Sequence, residues 1–209
     1  MSRISESKTI HRFIIFLVVL ICILTSVSLA TAQGIERCTL MPAQVPELRG
    51  LRLGMSLDQV ISIFPEIRND PSFRYVDVED RQIGFIQNIM VTPRNESKFD
   101  GIALFGFDFL DGRVSHLSVI YRDPSNGMIW RSVEEYAPKV SDVLGLPHKA
   151  WAKFRREDNE LWMQCKGFSV QINALGNSSM ISIKDSSADT TVRKRKAELE
   201  ERKRKEFKP

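Results

Sequence analysis

Apolar and polar residues change their spacing several times along the chain, and each change marks a structural block. Over residues 57–64 the apolar positions Leu57, Val60, Ile61 and Phe64 recur at helical intervals, which predicts one buried helical face. Ser56 precedes them as an N-cap with Gln59 three residues on, the spacing of a capping box, and Pro65 stops the helix. The period then drops to two. Residues 73–79 and 81–91 read as strands, and within 101–110 Ala103, Phe105, Phe107 and Phe109 share one side. Asp111-Gly112 favours a type I′ turn, and residues 113–121 return with Leu117, Val119 and Tyr121 on one side. After a DPSNG loop at 123–127, a second helix is expected over 129–144. Ser132 and Glu135 form its capping box, and Val133, Tyr136, Val140, Val143 and Leu144 its apolar face. Pro138 predicts a kink or a late start, and Gly145 with Pro147 the end. Four short strands follow, over 149–155, 159–166, 168–174 and 180–185.

The order is helix, four strands, helix, four strands. It predicts an α+β fold of two helix-plus-antiparallel-strand units, residues 48–122 and 129–185, forming a sheet with the helices packed on one face. The two halves are similar enough in element order to suggest an internal repeat. Residues 33–50, with Pro42 and Pro46, are an irregular lead-in.

Ahead of this body lies a different composition. Arg3, Lys8 and Arg12 precede twenty uncharged residues, 13–32, whose most apolar part is 13–24 and which end in Ala30-Thr31-Ala32. That is the pattern of a signal peptide over residues 1–32, cleaved after Ala32; an uncleaved membrane anchor is the alternative. Leu20 and Ile21 before Cys22 are too bulky for a lipobox. Either way the body is exported, to the periplasm or beyond the cell.

Charge follows the same division. The 209 residues carry a formal net charge of +4, yet residues 33–192 hold 18 basic against 21 acidic residues. The excess sits in residues 193–209, with nine basic and four acidic residues, behind a polar linker at 186–191. This tail reads as flexible or as a solvated helix, its Glu198–Arg202, Glu200–Arg204 and Glu201–Lys205 pairs each contributing ~0.3 kcal/mol. Attraction to an anionic surface is the sharper expectation. Nucleic acid is not expected as a partner, because no aromatic residues interleave the basic ones for base stacking.

Removal of the leader leaves two cysteines, Cys38 and Cys165. In an oxidising compartment an even count reads as a disulfide, the alternative being two free buried thiols.

The stretch Gly54-Met55-Ser56 through Val60 resembles the Gly-Met-[Ser/Thr]…Val opening of a superfamily of small exported tandem-repeat α+β proteins. These include β-lactamase-inhibitor-protein-like domains and small outer-membrane assembly lipoproteins. The second half matches only at Val143, Leu144, Gly145 and Pro147. The resemblance implies a fold and a binding or scaffold role; it carries no catalytic residues, and the missing lipobox and the basic tail depart from it.

Catalytic chemistry finds little purchase. The two histidines of the body, His116 and His148, lack metal-ligand spacing, and no nucleophile-elbow, zincin or phosphate-loop motif occurs. His116 reads as a surface strand residue, Asp108 as a solvated one, and the acidic groups Asp77, Glu79, Asp80 and Glu157, Asp158, Glu160 as solvated turns. The sequons at Asn95 and Asn177 read as chance. Trp130, Trp151, Trp162, Tyr75 and Tyr121 could be core or could anchor a protein-binding sheet face. The chain is therefore expected to be a non-enzymatic, cofactor-free and metal-free exported domain that binds an envelope or extracellular protein. An inhibitor of an extracellular enzyme and a hydrolase with an unrecognised carboxylate site are the alternatives.

Overall fold

The sequence folds around a sheet whose two sides were written by strict alternation, and the helices are placed by what each side offers. The computed structural model describes residues 36–77, 87–93, 99, 101–122, 132–153, 159–175 and 178–206. The leader, loop 123–127, residues 81–86 of the second strand, Glu79, Asp80, Trp130, Glu157, Asp158 and the sequon asparagines Asn95 and Asn177 lie outside them, as do the sheltered or exposed states of the Tyr75 and Asp77 side chains.

Helix α1 spans Leu57–Ile63 and is built as its sequence demands. Ser56 Oγ accepts the Gln59 N–H (3.3 Å), and Gln59 Oε1 accepts the Ser56 N–H (2.9 Å). Gly54 before it takes φ +84°, a conformation that glycine adopts without strain. This turn docks the helix: the Gly54 N–H donates to Val114 O and the Val114 N–H to Met55 O, both at 2.8 Å. Val60 is buried beneath. Pro65 ends the helix by opening a short 3-10 turn, Pro65–Asn69.

Strands β1 (Arg74–Asp77), β2 (Gln87–Val91), β3 (Ile102–Leu110) and β4 (Arg113–Arg122) follow. Asp111 and Gly112 both take positive φ, 51° and 73°, as a type I′ turn requires. The second half contributes α2 (Val133–Leu144), β5 (Ala152–Lys153), β6 (Glu160–Gln164), β7 (Phe168–Leu175) and β8 (Ser178–Asp185). A short 3-10 turn at His148–Ala150 takes the first residues of the expected strand at 149–155, and Cys165 falls just past β6 rather than inside it. All neighbouring strands are antiparallel, in the order β1-β2-β3-β4-β8-β7-β6-β5. Each half is thus a helix followed by a four-strand meander, and the halves meet through their last strands.

One side of the sheet is apolar without interruption. Ile89, Phe107, Leu117, Ile183, Val170 and Met163 are consecutive cross-strand partners, each at most 1% exposed. Val91, Phe105, Val119, Ile181, Ile172 and Leu161 form the adjacent row. Each such side chain contributes roughly 1.5–3 kcal/mol on burial. A register shift after Asp108 keeps both Val114 and Leu117 on this side, and the displaced Ser115 hydroxyl donates to Asp108 O (3.1 Å). Above the first half Phe64 packs on Phe99 and Phe105, ring centroids 5.3 and 5.8 Å apart. Above the second, α2 buries Val133, Tyr136, Ala137 and Val140.

Helix α2 starts late, at the cap expected at Ser132, and departs from expectation at Val143. It begins at Val133, with Ser132 as the cap. It runs through Pro138, which sits on the solvent side where the lost hydrogen bond is least costly. Val143 is 82% exposed, not part of the apolar face. The buried stripe runs 133, 136, 137, 140 and 141, so residue 143 points away. Ser141 takes an inward position because its hydroxyl accepts the Trp151 indole N–H (2.8 Å).

The C-terminal segment also departs from expectation. Helix α3 spans Ser186–Glu206, so residues 186–191 are its first turns and not a linker. It lies on the sheet side opposite α1 and α2, meeting β7 and β8. Asp185 Oδ1 accepts the Ser187 N–H (2.7 Å) as an N-cap does, which starts the helix directly at the end of β8.

Cys38 and Cys165 are disulfide-bonded across 127 residues, Cα–Cα 4.6 Å. The bond secures the lead-in to the β6–β7 turn, where the Lys166 N–H donates to Leu40 O (3.1 Å) and Gly167 leaves room for the Pro42 ring. Removing both sulfurs (Cys38→Ser with Cys165→Ser) is expected to lower the unfolding free energy by up to about 5 kcal/mol, measured in denaturant. An unchanged midpoint would contradict this role.

Candidate functional site

The second side of the sheet is where the sequence placed its unusual residues. Alternation turns Leu104, Gly106, Asp108, Ser118, His116 and Ile120 outward from β3 and β4. From β8, β7 and β6 come Met180, Ser182, Lys184, Asn173, Gln171, Ser169, Glu160, Trp162 and Gln164 in the same way. Three cross-strand rows result. Leu104, Ile120, Met180, Asn173 and Glu160 form one that is mostly apolar. The middle row is Gly106, Ser118, Ser182, Gln171 and Trp162. The third, Asp108, His116, Lys184, Ser169 and Gln164, is polar and lies nearest α3.

His116 is held from both sides. Its Nδ1 stands 2.7 Å from Asp108 Oδ2, and its Nε2 stands 2.7 Å from Ser182 Oγ. A carboxylate can only accept, so Nδ1 carries the proton; in the neutral ring Nε2 then accepts the Ser182 O–H. This is the Asp-His-Ser order of a nucleophilic triad. Its surroundings differ from those of one. Ser182 lies in an interior strand, opposite Ser118 on β4 and Gln171 on β7, so its backbone belongs to the ladder. Oxyanion stabilisation, the largest part of such catalysis, needs donors left outside the ladder. The chain of contacts is best suited to fixing a polar floor in one arrangement.

Helix α3 roofs this floor. Lys184 Nζ pairs with Asp189 Oδ1 at 2.7 Å, and Gln164 Nε2 donates to Ser186 Oγ at 2.9 Å. The Ser186 N–H donates to Gly167 O (3.0 Å). Farther along, the Arg195 guanidinium grips the Asp111 carboxylate in a fork, 2.8 Å on each arm. Those hydrogen bonds hold the Asp111 carboxyl below its ordinary value, and partial burial opposes them.

Between the roof and strands β6–β8 runs an open trough of about 760 Å³. Trp162, Glu160, Gln171 and Ser169 line it from the sheet, Thr190 and Arg193 from the helix. A smaller hollow of about 310 Å³ lies on the β3 flank of the helix and shares His116, Lys184, Asp189 and Arg193 with the trough. Glu160 is 9% exposed, and its carboxylate makes no hydrogen bond or ion pair with any described residue; the Gln171 and Ser169 side chains are likewise uncommitted. Among the described residues no three His, Cys, Asp or Glu side chains converge as a metal site requires.

The positions named in the sequence divide accordingly. Gly54, Met55, Ser56 and Val60 form the α1 docking turn, and Cys38 with Cys165 the disulfide; none lines the trough. Three expectations are corrected. Glu160 is buried within β6 and not in a solvated turn, because it alternates with core-facing Leu161 on an interior part of the sheet. Asp108 and His116 are partly buried and bonded to each other, because register sets them directly opposite. Single-strand alternation gives the face on which each lies; it does not give the partner across the ladder.

The fork at Asp111 makes the seating of α3 pH-dependent. A carboxyl with a lowered folded value contributes stability above its unfolded value and loses it as pH falls through the folded one. Amide protection in residues 187–199, taken relative to intrinsic exchange at each pH, should therefore be full at neutral pH and fall below about pH 4. The Arg195→Ala variant should show low protection at both, and equal protection with and without Arg195 would contradict the lock. No family model matches the chain, and neither a curated protein nor a solved structure is similar to it.

Proposed function

We propose that the chain is an exported, non-enzymatic binding domain that receives an envelope or extracellular component on the open side of its sheet. The observation that carries this reading is the trough: uncommitted polar groups, one of them a nearly buried carboxylate, stand in an open hollow beneath a tethered helix. Concave sites with a few convergent polar groups are where partners bind. A disulfide that joins distant segments supports export, since such bonds persist in oxidising compartments. The mirrored order of strands about β4 and β8 supports reading the halves as a repeated unit, in keeping with the resemblance carried by Gly54, Met55, Ser56 and Val60. The placement of Ser182 inside the ladder supports binding over catalysis.

A second contact follows from α3. Arg202, Lys203, Arg204 and Lys205 are consecutive and exposed at its far end, suited to an anionic membrane or wall polymer as an auxiliary attachment. Such attachment weakens with salt.

The immobilised oxidised protein should retain a fractionated envelope component. Gln171→Arg, which places a bulky charge on the trough floor, should abolish retention. Val143→Arg, on the opposite layer, should leave it unchanged. Retention that survives the first and fails in the second would overturn the assignment of the face.

A further inference from the structure

We infer that the trough is a carbohydrate site, so that the component recognised is a neutral glycan. This rests on the binding reading above and names its ligand class. Strand β6 presents Glu160, Trp162 and Gln164 at alternate positions on the open side, a carboxylate, an aromatic ring and an amide about 6–7 Å apart in turn. Sugars offer two complementary surfaces. Their C–H faces pack on an aromatic ring, and their vicinal hydroxyls donate to a carboxylate and exchange bonds with amides and hydroxyls. Each group needed lines the trough, and three of them are uncommitted among the described residues. Glu160 is an acceptor without a donor, Gln171 holds an uncommitted amide in the next strand, and Ser169 an uncommitted hydroxyl beside it.

The balance of charge favours a neutral ligand. The Lys184 ammonium is neutralised by Asp189, and Asp108 and Ser182 occupy both nitrogens of His116. Arg193 and Glu160 face the trough with opposite signs, so neither a polyanion nor a polycation meets a uniform field. The volume lies inside the range of roughly 300–1,000 Å³ usual for small-ligand sites. The floor is rigid, since the Asp108–His116–Ser182 contacts fix its rotamers before any ligand arrives, which lowers the entropy lost on binding.

The test is calorimetric titration of the oxidised protein with three neutral tetrasaccharides, of N-acetylglucosamine, β-1,4-glucose and α-1,4-glucose, and with choline as a cation probe. At least one sugar should bind saturably. Glu160→Gln and Trp162→Ala should each weaken it at least about tenfold, as loss of a paired polar or stacking group does, while Val143→Arg binds as the parent. Variants are compared at matched thermal midpoints. No saturation with any of the three sugars overturns the inference, as does choline binding that Glu160→Gln abolishes while the sugars stay silent. If the sugars are silent and Gln171→Arg still abolishes envelope retention, the glycan assignment falls and the binding face stands. If Gln171→Arg also retains the component, both fall.

Discussion

Seven residue pairs, from His116–Lys184 to Arg122–Ser178, join β4 to β8, and through them two four-strand meanders become one sheet. Both sides of the molecule follow from this seam. On the helical side it brings Leu117 and Val119 against Ile183 and Ile181, which closes the apolar rows over six strands. On the other it sets His116 of the first half beside Ser182 and Lys184 of the second. A one-residue slip would set the polar side of one half against the apolar side of the other, so that His116, or Ser182 with Lys184, would face the core. The dense hydrophobic register of one side is what holds the polar arrangement of the other.

The open side is arranged as a gradient. At one end Leu104, Ile120 and Met180 are apolar; at the other α3 sits on polar residues and is held by tethers with little apolar packing. Only Ala188 and Leu199 of the helix are buried. Its seating depends on the cap at Asp185, the Lys184–Asp189 pair and the Arg195–Asp111 fork. Exposed ion pairs contribute little singly, and the fork gains from its bidentate geometry. A roof so attached leaves hollows on both flanks, which is why the trough is open. The disulfide serves the same region, because the β6–β7 turn that it secures also receives the first residue of α3.

Much of the architecture is legible from local rules. The capping box at Ser56, the Asp111-Gly112 turn and the Phe105/Phe107/Phe109 alternation are each decided within a few residues, and the structure follows them. The pairing of Cys38 with Cys165 follows from their being the two cysteines of residues 33–209. The site is a different matter. Glu160 follows the charged residues 155–158 in sequence, and only its place in β6 shows that the residue is largely buried. Asp108, His116 and Ser182 span 74 residues of sequence and meet through a register that no single strand encodes. The polar segment 186–191 reads as a linker because its helix is stabilised by an N-cap and tertiary ion pairs, with almost no apolar periodicity to announce it.

The central claim is that partners approach the open side under α3 and leave the helical side untouched. Amide chemical-shift mapping of the oxidised, isotope-labelled protein with solubilised envelope material tests it most directly. Perturbations should gather at residues 160–164, 169–171, 182–184 and 189–193, with α1 and α2 unchanged. Perturbations centred on α1 and α2, with the trough silent, would contradict it.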